Sequence, residues 1–146
     1  MERENAAEKL YEIINYFLFN EKKKPFVFEG VNLYPSEIHL MLEISDGELT
    51  NATKAAAQFG ITKGAVSQTL KRLEQKGILT KDKDPYHKNE LSVTLTPMGK
   101  RAYGAVRELR AGIMGEFQRV LDDFTADDQT AITRFLKRIN DTLRAE

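Results

Sequence analysis

Cysteine is absent from the 146 residues of this chain. A disulfide framework, a thiolate metal site and a thiol redox sensor are thereby excluded, and a cytoplasmic location is the simple expectation. An excess of charge of either sign is missing too. The 22 Lys and Arg balance 22 Asp and Glu, which rules out a strongly basic nucleic-acid-binding tail. No apolar run approaches the roughly 20 residues a membrane helix needs, and the first residues lack the basic, apolar and small-residue order of a signal peptide, so no membrane partner is expected. Internal repeats and low-complexity segments are lacking. No Ser, His and Asp grouping, cysteine nucleophile, phosphate loop or paired metal motif is visible, so an enzyme is not expected, and no catalytic residue or cofactor is assigned. Histidine is scarce, with only His39 and His87. His39 has Glu37 and Glu43 near it in sequence, but imidazole ligands normally come in groups, so a packing role is expected and no metal.

What is present is a chain of one-domain length, able to bury a core of ordinary size, with its charge segregated. Residues 1–53 hold 5 basic and 10 acidic side chains, residues 54–101 hold 10 and 4, and residues 102–146 hold 7 and 8. Positive charge gathers in the middle segment, the electrostatic footprint expected where phosphates bind. That segment contains two short helical patterns joined by a tight turn. Thr53 to Phe59 is alanine-rich, and Ala has the lowest cost of any residue in a helix interior. Gly60 supplies a left-handed end, and Thr62 follows as N-cap of the next helix. Beyond it Val66, Leu70 and Leu73 form one apolar face, while Lys63, Ser67, Gln68, Lys71 and Arg72 occupy the other before Gly77 closes the helix. A helix-turn-helix results, its second helix dry on one side and able to contact nucleic acid on the other.

Around it the pattern is mostly helical. Leu10, Ile13, Ile14, Phe17 and Leu18 lie on one stripe of a helix over residues 5–20. Phe26 to Leu33 reads as an ordered connection packed on the domain. Pro35 at a first helical position opens a helix through Ile38, Met41, Leu42 and Ile44 that AspGly at 46–47 ends. Ile78 to Asp82 and Leu91 to Leu95 read as strands, joined by a polar, basic loop in which Asp84 and Pro85 suit a type I turn. This hairpin is the wing of a winged helix. Thr96 and Pro97 start a long helix through Ala102, Val106, Leu109, Ile113, Phe117, Val120 and Phe124. Gly104, Gly112 and Gly115 weaken it by up to about 1 kcal/mol each unless close packing needs their small size. Thr125 with Asp128 resembles a capping box opening a last helix through Ile132, Phe135, Leu136, Ile139 and Leu143. The first and last two helices carry more apolar surface than a winged domain needs to cover itself, and burial against a second copy accounts for the surplus.

This order of parts, with ITKGAVSQTLKRLEQKGIL at residues 61–79 and LSVTLTPMG at residues 91–99, resembles the MarR family of bacterial transcription regulators over nearly the whole chain. The expected fold is mainly α with a small β-hairpin wing. A winged helix-turn-helix over about residues 34–96 is flanked by dimerisation helices at 1–33 and 97–146, all within one domain spanning residues 1–146. The resemblance implies a homodimer on a near-palindromic operator in double-stranded DNA, usually a repressor, released by a small-molecule effector or another signal. A winged helix used only for protein contact is the alternative, and salt dependence of binding separates the two.

The site expected from these residues has Lys63, Ser67, Gln68 and Lys71 entering the major groove, with Gly64 beside them. Arg72 and Lys88 hold phosphate, and Thr62 caps and aims the helix. Tyr11, Tyr16, Phe17 and Tyr103 are the candidate lining of an effector pocket between the dimer helices and the winged lobe. Three positions depart from the family's pattern. Tyr34 replaces the usual Thr N-cap before Pro35. His87 and Lys88 stand where the wing carries Asp and Arg, and Lys lacks the planar fork of Arg favoured in narrow minor grooves. Gln68 stands where Arg is common, and Gln pairs with adenine N6 and N7 where Arg prefers guanine O6 and N7.

Overall fold

The computed structural model describes residues 4–20, 24–45, 51–82 and 92–145. Its elements run α1 (Ala6–Asn20), β1 (Phe26–Phe28), β2 (Val31–Leu33), α2 (Pro35–Ser45), α3 (Ala52–Phe59), α4 (Lys63–Gln75), β3 (Leu79–Lys81), β4 (Val93–Leu95), α5 (Pro97–Leu121) and α6 (Ala126–Arg144). The core gathers Leu33 of β2, Leu40, Met41 and Leu42 of α2, Ala55 and Ala56 of α3, and Val66, Leu70 and Leu73 of α4. Ile78, Leu79 of β3, and Ala102 and Val106 of α5 complete it. Each large side chain among them contributes about 1.5–3 kcal/mol when fully buried, more than a typical cap, so this lobe holds itself together.

The segment from Phe26 to Leu33 is more ordered than a connection. β1 and β2 pair antiparallel with Phe28 opposite Val31, leaving Glu29 and Gly30 as a two-residue loop. Both loop residues have positive φ, 46° and 79°, the sign a type I′ hairpin turn demands because its twist matches that of the strands. Arg101 of α5 grips the tip, donating from Nε and Nη2 to the two Glu29 oxygens at 2.9 Å each. These hydrogen bonds hold the Glu29 carboxyl below its ordinary range and raise Arg101.

Both helices of the central pair end in the same way. Gly60 and Gly77 have φ of 65° and 77°, and the N–H groups of Ile61 and Ile78 reach back to the carbonyls of Ala56 and Leu73 at 2.9 and 3.0 Å. That six-to-one bond satisfies carbonyls the helix leaves open, and glycine takes the left-handed position without strain. Gly77 is then bolted to α5. The Thr96 hydroxyl donates to the Gly77 carbonyl at 2.5 Å and accepts from the Gly99 N–H at 3.0 Å, while the Thr96 N–H donates to the Ile78 carbonyl at 3.0 Å. Gly99 has no room for a side chain, because a Cβ there would overlap the Ile78 carbonyl oxygen.

The wing is seen at its base. β3 and β4 pair antiparallel with Leu79 opposite Leu95 and Lys81 opposite Val93, and the Thr94 hydroxyl donates to Asp82 at 2.6 Å. The strands are shorter than the sequence pattern implied, and the turn at Asp84 and Pro85, together with His87, Lys88 and Leu91, lies outside the described residues.

The two end helices stand apart from the core. Neither α1 nor α6 has a fully buried residue, and the apolar stripe of α5 is buried only at Ala102 and Val106, with Leu109, Ile113, Phe117 and Val120 exposed beyond. Arg144 at the end of α6 nevertheless reaches the helix-turn-helix, donating from Nη1 to the Gln58 carbonyl at 2.6 Å.

Candidate nucleic-acid interface

The centre of the candidate interface is α4, and local sequence fixes where this helix begins. Thr62 is extended, with φ −82° and ψ 157°, and its side chain accepts from the Ala65 N–H at 3.1 Å. Asn51 does the same for α3, accepting from the Lys54 N–H at 2.7 Å; α3 thus begins at Ala52, one residue earlier than its alanine-rich pattern implied. From Thr62 onward the faces separate. Val66, Thr69, Leu70 and Leu73 are buried, whereas Lys63, Gly64, Ser67, Gln68 and Lys71 are exposed. Residues 63, 67 and 71 follow at steps of four, which stacks them along one line of the helix surface. The side chains of Lys63, Ser67, Gln68 and Lys71 make no hydrogen bond or ion pair with the protein among the described residues. At Gly64 an added Cβ would meet only the Thr62 hydroxyl oxygen, at 3.7 Å; its bareness gives the outer surface a shallow point where a partner backbone can approach.

Arg72 is oriented differently from its neighbours. Its Nη2 donates to Thr69 Oγ1 at 3.1 Å and its Nε lies 3.6 Å from a Glu37 oxygen, although about half of the side chain remains in solvent. Lys76, unassigned by the sequence, turns inward, and its ammonium donates to both Glu37 oxygens at 2.9 and 2.7 Å. The Tyr34 departure resolves here. The Tyr34 carbonyl accepts the N–H groups of Glu37 and Ile38 at 3.0 Å each, and its ring centre lies 4.9 Å from the Lys76 ammonium. The sequence signal that could have revealed this group is a glutamate in the first turn of α2, where the helix dipole favours it, close to the apolar residues that bury it.

The four aromatic residues expected to line an effector pocket are divided between two helices, Tyr11, Tyr16 and Phe17 on α1 and Tyr103 on α5. Tyr11 and Tyr16 are two-thirds exposed on α1, and Phe17 stacks edge-on with Tyr16 at 5.9 Å. Tyr103 packs against the core and carries Arg107 over its ring at 5.9 Å. A cavity of about 320 Å³ lies instead between α2 and α5. Its wall is largely apolar, formed by Ile38, Leu42, Val106, Leu109, Ile113 and Met114, with His39, Glu43 and Arg110 as its polar members. Among the described residues no three His, Cys, Asp or Glu side chains come close enough to hold a metal ion, and no helix is long and apolar enough to cross a membrane.

Comparison with known proteins agrees with this geometry. Residues 33–88 fit the model of the MarR family. The uncharacterized HTH-type transcriptional regulator YhjH of Bacillus subtilis is 28% identical over 126 residues, covering 85% of this chain and 72% of that protein. YvnA of the same organism, also an uncharacterized HTH-type transcriptional regulator, is 26% identical over 68% of this chain; the match spans 64% of its own length. Among solved structures, the adhesin competence repressor AdcR of Streptococcus pyogenes superposes with a TM-score of 0.79 at 19% identity, covering 97% of this chain and 99% of that one. ZitR of Lactococcus lactis in complex with DNA superposes with a TM-score of 0.70 at 16% identity, over 97% and 99% of the two chains.

Proposed function

We propose that this chain, which has the winged helix-turn-helix fold and fits the MarR family model over residues 33–88, represses transcription as a cytoplasmic homodimer bound to a near-palindromic operator. The observation that carries this reading is the outer face of α4, where Lys63, Ser67, Gln68 and Lys71 stand exposed without protein partners among the described residues while the opposite face is buried. Donors spaced along one helix line suit the major groove, where base edges present a distinct pattern for each pair. Thr62 caps and aims the helix, Gly64 allows the backbone to approach, and Arg72 and Lys88 hold phosphate. Arg72 reaches a phosphate by turning its half-exposed guanidinium away from Thr69. Two copies would join through α1, α6 and the far half of α5, the helices whose apolar side chains the single chain leaves uncovered. A two-fold dimer sets its recognition helices about one helical turn apart, ~34–36 Å.

Release by an effector fits the cavity between α2 and α5 rather than the four aromatic residues. At about 320 Å³ it suits a compact, largely apolar molecule. Such a ligand would act by binding unequally to two spacings of the recognition helices, since only differential affinity shifts an equilibrium. The zinc response named for ZitR and AdcR is not carried over, because His39 and Glu43 alone do not make a metal site.

Selection of bound duplexes from a random pool tests the proposal. A palindrome with adenine facing Gln68 is expected, with affinity that falls linearly in log–log terms as salt rises. Binding of no sequence over another, or binding indifferent to salt, would sink the repressor reading and favour a module for protein contact.

A further inference from the structure

Glu37 is 1% exposed, a carboxylate inside the lobe that belongs neither to the outer face of α4 nor to the cavity between α2 and α5. Its partners come from the C-terminal end of the recognition helix. The Lys76 ammonium donates to Oε1 and Oε2 at 2.9 and 2.7 Å and to the Asn32 carbonyl of β2 at 2.7 Å. Arg72, one turn earlier, keeps its Nε 3.6 Å away. One buried charge thus joins β2, the first turn of α2 and the end of α4.

Energetically, this cluster serves geometry more than stability. A buried ion pair is often no more stabilising than apolar side chains of the same volume, because desolvation offsets the attraction. Its distinctive property is direction. The apolar contacts of Val66, Leu70 and Leu73 are non-directional and tolerate small rotations of α4. Charge-assisted hydrogen bonds do not: their lengths fall within a few tenths of an ångström. A rotation of roughly 20° about the α4 axis moves a side-chain tip roughly 5 Å from it by about 2 Å, enough to break both bonds from Lys76. The same rotation would move Gln68 by a similar distance relative to a base edge. Thr62 fixes where the helix begins but not how it is rolled.

We propose that Glu37 and Lys76 are positioning residues for DNA readout, setting the roll of α4 so that operator discrimination depends on two residues that do not touch DNA. The inference rests on the DNA-binding function proposed above. It gives the pair a role distinct from that of Lys63 or Lys71, whose loss removes contacts rather than orientation.

The test compares the full chain with a Glu37→Gln, Lys76→Met double variant, which removes both charges and leaves no isolated ion in the core. The wild-type protein first supplies the ratio of affinities for the selected operator and a mixed-sequence duplex, typically ~10³ or more for specific binders. In the double variant that ratio is expected to fall by about tenfold or more, while mixed-sequence affinity stays within about twofold and the salt slope is unchanged, since no phosphate contact is lost. A folded double variant with an unchanged ratio overturns the proposal. So does a parallel loss of both affinities, the mark of a merely structural role. Should the double variant not fold, Lys76→Arg decides: it keeps the charge but replaces a compact ammonium with a planar fork, and the ratio must fall with it or the proposal fails. A wild-type ratio near one overturns the DNA-binding function itself, and this inference with it; a large wild-type ratio that the variants retain overturns only the positioning role.

Discussion

Gln68 carries a donor and an acceptor on one planar amide, and the four-residue step that turns Lys63, Ser67 and Lys71 outward along α4 leaves it beside them on the exposed face. Gln68→Ala is expected to cost about 1–3 kcal/mol of discrimination at one operator position and to leave mixed-sequence binding unchanged. Selection from a random pool with each protein checks this, and the same preference at every position before and after the change would refute the adenine assignment. Glu29 gives a second prediction at this scale. Its carboxyl is held below the ordinary range chiefly by the hydrogen bonds from Arg101. A carboxyl with a depressed folded pKa adds stability above its unfolded value and loses it as pH falls through the folded one. The hairpin tip should therefore stay docked on α5 until the pH drops below the range where free glutamates titrate. In a side-chain NMR titration Glu29 should titrate below the ordinary glutamate range, and Arg101→Ala should return it toward that range. The hydroxyl caps at Thr62, Thr96 and Thr125 were legible in the sequence, because a cap and the N–H it accepts lie three residues apart. The contact between Lys76 and Glu37 was not: its partners are 39 positions apart, and only the packing of α4 on α2 brings them together.

At the scale of elements, α5 shows how one residue type carries opposite consequences along one helix. Gly99 faces the Ile78 carbonyl so closely that a Cβ would overlap its oxygen, whereas a Cβ on Gly104 would meet nothing within 4 Å. Gly99→Ala should then destabilise by roughly 3 kcal/mol or more, since backbone must move to admit the methyl. Gly104→Ala should stabilise by about 0.5–1 kcal/mol through the lower entropy of the unfolded chain and the better helix propensity of alanine. Urea unfolding midpoints at one protomer concentration check both, and shifts of the same sign would contradict the argument. The existence of this helix and its start were legible in the residue pattern, but the pattern could not tell the glycine that packs from the one that does not. The hairpin of β1 and β2 was readable in principle. Phe26, Phe28, Val31 and Leu33 alternate around GluGly, yet each strand has only three residues, too few for a period of two to stand out. Its pairing is fixed by the two-residue turn and by Arg101, a contact across 72 positions.

For the molecule as a whole, the distribution of apolar surface decides what a single chain can do alone. The lobe from Leu33 to Val106 buries its own core, while α1, α6 and the far half of α5 expose Phe17, Phe19, Phe117, Val120, Leu136 and Leu143. The surplus was legible in the sequence; which side chains the lobe leaves uncovered was not, because that depends on where α5 leaves the lobe. Exposed apolar stretches of this extent are uncommon on monomers, and an obligate dimer typically buries ~2,000 Å² or more. Phe117 is half exposed, at 51%, and lies beyond the buried part of α5, so a charge there should spare the lobe and act on association alone. Phe117→Glu is expected to convert the proposed dimer into a monomer in sedimentation at micromolar concentration, because two desolvated carboxylates would face an apolar surface. A monomer reads one half-site, so affinity for the palindrome should fall by about 10²-fold or more while affinity for an isolated half-site changes little. A variant that remains dimeric would move the interface away from α5, and a monomer that keeps full affinity for the palindrome would contradict two-fold reading altogether.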